Sequence, residues 1–470
     1  MARRTPPLIA ALVAVAWASG VAGVGIDVTL DPALDMIGQQ VIAVQSYTPA
    51  AGGQSVIDLA LYDTGASVIS FSWYGNQYFP QPHLNPGGAG GQGVNGSVVG
   101  DVSQPGAILA GGLQDFSLNF DPDTFEFSGG IVTPADRAVD GIQAFVGTET
   151  GSPNLPSLTG TPIHAPSAAF PGGSAARITM TGIDFGTSLG LGFPLAFPAL
   201  ELVAPGSTVA SRPGSTQPAS IPLTPFGTGN RGTEGTSITV APNPTFADVT
   251  LRHAPPVGGV NTVVASRLLF DTGAQVSLIS GSLAAALGLD PDRPDTTIRV
   301  QGASGVPIAL DGYTIDAIEL AAAIDGAEAD DLVRFGAVPV FVYDLGITGL
   351  DGILGMNLFN SADEMVVDLV NDVLQVSFFE EGAEGTSGSL DQLAVLFGGY
   401  SSPAFTGQLV PAFGLGSMMV VPEPGGLAML LAGAALGIGR FGRRSHGRRR
   451  AGDRVLARSV ASARLADRGG

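Results

Sequence analysis

Apolar and polar positions alternate with the two-residue period of half-buried strands in several short runs of this chain. In the second half the runs are Ile238-Thr239-Val240, Val249-Thr250-Leu251, Ile298-Arg299-Val300 and Val338 to Val342. The first half is less regular, with strands predicted at Gln40–Val44, Val56–Tyr62, Phe116–Phe120 and Ile178–Met180. Only Ser282 to Leu289 reads as a short helix. Glycine (68) and proline (34) punctuate the whole length, which favours short strands joined by many turns. The pattern predicts a mostly β protein.

The same pattern divides the chain. Residues 1–23 read as an export signal: Arg3 and Arg4, an apolar run from Leu8 to Trp17, then small residues up to Gly23. Residues 24–203 form a first lobe and 237–380 a second, with 204–236, rich in Pro, Ser, Thr and Gly, expected as an unpacked linker. A low-complexity spacer follows over 381–420. At 421–444, Val421-Pro422-Glu423-Pro424 precedes an apolar run from Gly425 to Gly439 and then Arg440, Arg443 and Arg444. This segment resembles the PEP-CTERM sorting signal of bacterial surface proteins. The resemblance implies a short membrane helix and an exosortase-type processing partner; an ordinary C-terminal anchor is the alternative. The run is short for a free-standing span, and its basic flank favours the inner side of a membrane. The chain continues beyond the usual end of such signals as an arginine-rich tail, 445–470.

Charge and composition exclude several function classes. The net charge is −20, and all 21 basic residues are arginine. Most of these lie in the two terminal signals and the tail, so the body between is more acidic still. Nucleic acid and anionic membrane surfaces are disfavoured as partners of that body. There is no cysteine, so neither disulfides nor thiol chemistry is available. His83, His164, His253 and His446 are scattered without metal-ligand spacing, and no metal or other cofactor is expected.

The candidate chemistry lies in a repeated stretch. Leu61-Tyr62-Asp63-Thr64-Gly65-Ala66-Ser67-Val68 returns downstream as Leu269-Phe270-Asp271-Thr272-Gly273-Ala274-Gln275-Val276. Each copy reads as a strand entering a tight turn, one copy per half. One Asp-Thr-Gly triplet in a glycine-rich chain carries little information; two in the same apolar frame carry a great deal. Here the chain resembles the aspartic proteases, whose active site is built from two such loops. The resemblance implies a two-lobed fold with pseudo-twofold-related lobes, a cleft between them, and a polypeptide substrate. Two carboxylates about 3 Å apart cannot both ionise, so Asp63 and Asp271 would share one proton and serve as acid and base together. Gly65 and Gly273 let the backbones approach, and the Thr64 and Thr272 hydroxyls are placed to hydrogen-bond across the pair. Ala66 and Ala274 resemble retroviral-type enzymes, which work as dimers of one-lobed chains. This chain holds both motifs and is expected to act as a monomer.

The second half carries a further hallmark of the family. Val338 to Val342, followed by Leu350-Asp351-Gly352-Ile353-Leu354-Gly355-Met356, matches the apolar-apolar-Gly segment that braces the catalytic loop, with Gly355 at its centre. In the first half two segments compete for that place: Phe145-Val146-Gly147, at the same distance from its aspartate as Gly355, and Leu158-Thr159-Gly160. Flaps over the substrate are expected near Gly93–Asp101 and Gly302–Val306. Two other readings compete. Gly186-Thr187-Ser188-Leu189-Gly190 fits a serine-hydrolase pattern but lacks the strand–turn–helix frame that chemistry needs. A catalytically inert, protease-like surface or matrix protein is the alternative function. The intact Asp-Thr-Gly in both halves favours an aspartic endopeptidase of the cell envelope.

Overall fold

The computed structural model describes residues 25–380, apart from 53–54, 77–78, 80–81, 94–95, 122–125, 154, 185–195, 230–237, 256–258, 302–306 and 325–330. The export signal, the spacer, the sorting signal, the tail, the Gly186–Gly190 motif and the Gly302–Val306 flap expectation lie outside the described residues. Strands dominate what is described: two nine-stranded sheets, one six-stranded sheet and a two-stranded hairpin. Among the described residues no helix is long and apolar enough to cross a membrane.

Each nine-stranded sheet holds one Asp-Thr-Gly loop. In the first, the strands Ile42–Pro49, Val56–Tyr62, Leu158–Thr159, Ser70–Phe71 and Phe145–Gly147 lie side by side in that order. In the second, Asn243–His253, Asn261–Phe270, Gly352–Leu354, Ser277–Ile279 and Leu332–Val342 take the same places. The pairing directions match as well. Leu158–Thr159 runs parallel to the strand before Asp63, and Gly352–Leu354 runs parallel to the strand before Asp271.

The outer strands differ. The long strand Pro307–Ala321 pairs with Thr296–Gln301 at one end and with Asn243–His253 at the other. In the first half two strands, Gly96–Val102 and Gly106–Gly112, divide this work. Between them lies Ser103-Gln104-Pro105, whose proline has no N–H to give a ladder. Each half therefore projects a hairpin: Asn85–Gly93 with Gly96–Val102, and Thr296–Gln301 with Pro307–Ala321. The expected Gly93–Asp101 stretch falls within the first.

Helix is scarce, as the pattern predicts. The segment Gly281–Leu287 starts where the Ser280 hydroxyl accepts the Leu283 N–H and stops at Gly288, which adopts left-handed φ 76°.

Sequence and structure part company over how the chain is divided. Gly25–Thr29, from the stretch read as the first lobe, pairs in parallel with Leu332–Gly336 of the second sheet. Ala175–Asp184 and Ala196–Val203, from the end of the first half, join Ala362–Asp368 and Val373–Phe378, from the end of the second, in the six-stranded sheet. Part of the 204–236 stretch, expected to stay unpacked, is packed: Ala219–Pro222 pairs with Val373–Val376, and Ala219, Ile221 and Leu223 are buried. A short alternation of apolar residues there outweighs the surrounding Pro, Ser and Thr.

Candidate active site

Asp63 and Asp271 each stand at the end of a strand that runs through a sheet interior, Val56–Tyr62 and Asn261–Phe270. Their backbones are fixed in equivalent ways, with Asp63 N–H donating to the Thr159 carbonyl at 3.1 Å and Asp271 N–H to the Leu354 carbonyl at 3.1 Å. The loops then turn back on their own carboxylates. Asp63 Oδ1 accepts from Ala66 N–H at 2.9 Å. Asp271 Oδ1 accepts from Gly273 N–H at 2.9 Å and Ala274 N–H at 3.0 Å.

The two loops interlock through their threonines. Thr64 N–H donates to Thr272 Oγ1 and Thr272 N–H to Thr64 Oγ1, both at 3.0 Å. Each hydroxyl then donates onward across the interface, Thr64 Oγ1 to the Phe270 carbonyl at 2.7 Å and Thr272 Oγ1 to the Tyr62 carbonyl at 2.8 Å. Four hydrogen bonds between buried groups thus fix one loop against the other. Glycine follows because the approach is so close. A Cβ on Gly273 would sit 2.5 Å from Asp63 Cγ, and one on Gly65 would collide with the Asp271 carboxyl.

The structure thus brings together Asp63, Asp271, Thr64, Thr272, Gly65 and Gly273. The carboxyls hydrogen-bond to each other. Asp63 is pushed well above the ordinary carboxyl range, first by burial and then by the neighbouring Asp271 charge. Asp271 is raised by burial, against which work the hydrogen bonds from Asp63 and from the backbone of Gly273, Ala274 and Gly65. Asp271 collects more backbone donors than Asp63, and two carboxyls held this close titrate as one pair that keeps a proton to higher pH than either alone. Both residues keep one partly exposed side.

Gly355 is the brace of the second loop. A Cβ there would lie 2.5 Å from the Val276 carbonyl oxygen. Its N–H donates to Ser277 Oγ at 3.1 Å, and the next N–H, of Met356, donates to the Ala274 carbonyl at 2.8 Å. The first-half counterpart is Gly160. A Cβ on it would collide with the carbonyls of Val68 and Ala66, and the next N–H, of Thr161, reaches the Ala66 carbonyl at 2.9 Å. Phe145-Val146-Gly147 pairs instead with Ser70–Phe71, the place Val340–Val342 takes beside Ser277–Ile279.

Further supports come from the opposite half of the chain and had no signal in the motif. Gly38 N–H donates to the Gln275 carbonyl at 2.6 Å, while Ala241 N–H donates to the Ser67 carbonyl at 2.9 Å. Asn243 Nδ2 donates to the Thr64 carbonyl at 2.8 Å. Beneath the first loop, Tyr62 and His164 form a buried pair, with Tyr62 Oη 2.9 Å from His164 Nε2 and His164 Nδ1 2.9 Å from the Ser174 carbonyl. Burial lowers His164 to about 4 and so keeps it neutral, with Nδ1–H donating to Ser174 and Nε2 accepting from Tyr62. Among the described residues there is no cluster of His, Cys, Asp and Glu able to hold a metal.

Comparison with known families agrees with this geometry over part of the chain. A family model described as aspartyl protease matches residues 257–358, from just before the Asp271 strand to just past Gly355. This stretch is similar to the aspartic proteases, which supports an aspartic-protease type of function. No curated protein matches the chain.

Proposed function

We propose that the protein is an aspartic endopeptidase whose two halves are pseudo-twofold-related lobes, with the substrate held in a cleft over the paired aspartates. The observation that carries this reading is the pair of mutually hydrogen-bonded carboxyls on two loops locked by reciprocal threonine bonds. An unreactive scaffold has no need to hold two acids against each other at the expense of their ionisation.

The chemistry needs one ionised and one protonated carboxyl in the pair. Asp271, supplied with backbone donors, is the carboxylate that takes a proton from an attacking water. Asp63 gives its proton to the carbonyl oxygen of the scissile peptide. Proton transfer returns the pair to its starting charge when the amine leaves. The two hairpins, Asn85–Val102 and Thr296–Ala321, are proposed to lie over the substrate. A single chain supplies both aspartates, so it is proposed to act as a monomer. Export through residues 1–23 and processing at the Pro422-Glu423-Pro424 signal would place it at the cell envelope.

The test is hydrolysis of denatured casein by the wild-type chain and by Asp63→Asn and Asp271→Asn. Each substitution should lower the rate by at least about 10⁴-fold, as when one member of a catalytic unit is removed. Each should also leave thermal unfolding cooperative. Activity that survives either change removes the aspartic mechanism, and an inactive wild type favours the inert surface protein.

A further inference from the structure

The two halves repeat more than their Asp-Thr-Gly loops. Ile42 faces Leu61 across the first sheet and Thr245 faces Leu269 across the second, so the segments just before them correspond. Gly38 answers to Ala241, and Gln40 to Asn243. Gly38 N–H reaches the Gln275 carbonyl of the second loop, and Ala241 N–H the Ser67 carbonyl of the first. Each segment thus lies against the loop of the opposite half, and each carries a carboxamide at the same place.

The two carboxamides are used differently. Asn243 Nδ2 donates to the Thr64 carbonyl at 2.8 Å. Gln40 is buried, and among the described residues neither its Oε1 nor its Nε2 has a hydrogen-bond partner. Local sequence explains the firmer grip. In Ala241-Pro242-Asn243-Pro244, Ala241 and Asn243 each precede a proline, which holds them extended. Phe226 pairs with Asn243, and Thr161 Oγ1 donates to the Ala241 carbonyl at 3.2 Å. The corresponding Gly38-Gln39-Gln40-Val41 contains no proline.

The grip controls one peptide plane. The Thr64 carbonyl and the Gly65 N–H belong to the same planar unit, so holding one end directs the other. The Gly65 N–H bonds to both Asp63 and Asp271 and favours the charged form of each. A hydrogen bond to a peptide carbonyl also polarises the unit and strengthens its N–H as a donor. The charge that acts on Asp63 is that of Asp271. Nearby, burial pushes Tyr62 up and His164 down to about 4, so both are neutral at pH 7. Asp372, which lines the same cavity as Asn243, is raised by burial.

We propose that Asn243 is a positioning residue of the aspartate pair, gripping the Thr64 carbonyl so that the Gly65 N–H is aimed at both carboxyls. Its effect on catalysis rests on the peptidase reading above; its effect on the carboxyls does not.

The experiment uses the full chain with Asn243→Leu, which keeps the volume and removes the donor, and Asn243→Ala, which repeats the test without the bulk. Urea unfolding is measured at pH 4 and pH 7, with the native aspartates and with Asp63→Asn, Asp271→Asn. A carboxyl raised by folding contributes stability below 3.8 that is lost as pH climbs, so raising the pair further costs more at pH 7. The extra cost of Asn243→Leu at pH 7 over pH 4 should be about threefold in the unfolding constant, equal to about half a pKa unit. It should vanish when both aspartates are asparagine. A cost that is the same at both pH values, or that persists without the aspartates, makes Asn243 merely structural and overturns the proposal. In casein hydrolysis, Asn243→Leu should lower kcat about fivefold, leave KM within about twofold, and move the pH optimum up by about half a unit. Gln40→Met, at the corresponding place, should leave the optimum unchanged. An optimum that stays or falls in Asn243→Leu, or an equal shift in Gln40→Met, also overturns it. A wild type inactive on casein counts against the peptidase reading alone, since the unfolding measurements still decide the role of Asn243.

Discussion

The two Asp-Thr-Gly loops have nearly the same geometry and rest on different foundations. Under Asp271 the support is aromatic: Phe246, Phe270, Phe359, Phe335 and Phe378 touch in sequence, with ring centroids 5.4 to 5.7 Å apart. Under Asp63 a smaller ring cluster of Tyr47, Phe71 and Phe79 is joined by several buried polar pairs. Tyr62 meets His164, Gln45 links the Ser70 carbonyl to the Thr159 hydroxyl, and Ser157 donates to Asp58. Edge-to-face ring contacts tolerate small shifts, whereas buried hydrogen bonds hold only in one arrangement and cost much when broken. The chemistry therefore constrains the loops and the threonine lock, and leaves each half free to choose how it supports them.

The largest expected effect tests the equivalence of the braces. Gly160→Ala and Gly355→Ala should each destabilise by about 3 kcal/mol or more, because the new Cβ meets backbone carbonyls that cannot move aside. Urea unfolding checks this. If Gly160→Ala costs far less than Gly355→Ala, the first loop does not lean on its brace as the second does.

A somewhat smaller effect tests the buried polar pairs under the first loop. Burial raises Asp58 from 3.8 to about 6. A carboxyl raised by folding contributes stability that is fully present below 3.8 and is lost as pH climbs through about 6, a change of about 3 kcal/mol. Asp58→Asn cannot ionise. The stability difference between this variant and wild type, measured by denaturant unfolding, should therefore grow in the variant's favour from pH 4 to pH 7. A flat difference would mean the Asp58 carboxyl is already well solvated.

The smallest effect concerns the loops themselves. Ala66 and Ala274 donate only through their backbone N–H groups, to Asp63 and Asp271 respectively. A serine hydroxyl at each position would add a donor to the charged form and lower the pair's apparent pKa values. The Ala66→Ser, Ala274→Ser double variant should move the pH optimum of casein hydrolysis down by about one unit or less, at fixed ionic strength. An optimum that stays put or rises would show that the added hydroxyls do not reach the carboxyls.

Much of this site can be read in the sequence because its parts are local. The strand Val56–Tyr62 has the ends its alternation predicts, and both aspartates sit directly after apolar strands. What could not be read is long-range. Phe145-Val146-Gly147 and Leu158-Thr159-Gly160 carry similar local signals, and only the strand pairing separates them. Ile238-Thr239-Val240 alternates like a strand, yet Thr239 and Ala241 spend their N–H groups on the Gln143 and Ser67 carbonyls of the first half. Alternation there records burial on one side, not membership of a ladder. Ala219–Pro222 was hidden for the opposite reason, a strand of four residues set in a composition typical of loops.

The parallel pairing of Gly25–Thr29 with Leu332–Gly336 bears on the order in which the molecule can form. The strand and its partner lie about three hundred residues apart along the chain. That contact has a very high sequence separation, so the entropy of closing the loop must be met before the pairing repays it. The second sheet therefore reaches its final width late, when the ends of the folded body are sewn together. Neither half is a detachable module: cutting the chain between them would strip the second sheet of an edge strand and split the six-stranded sheet that both build.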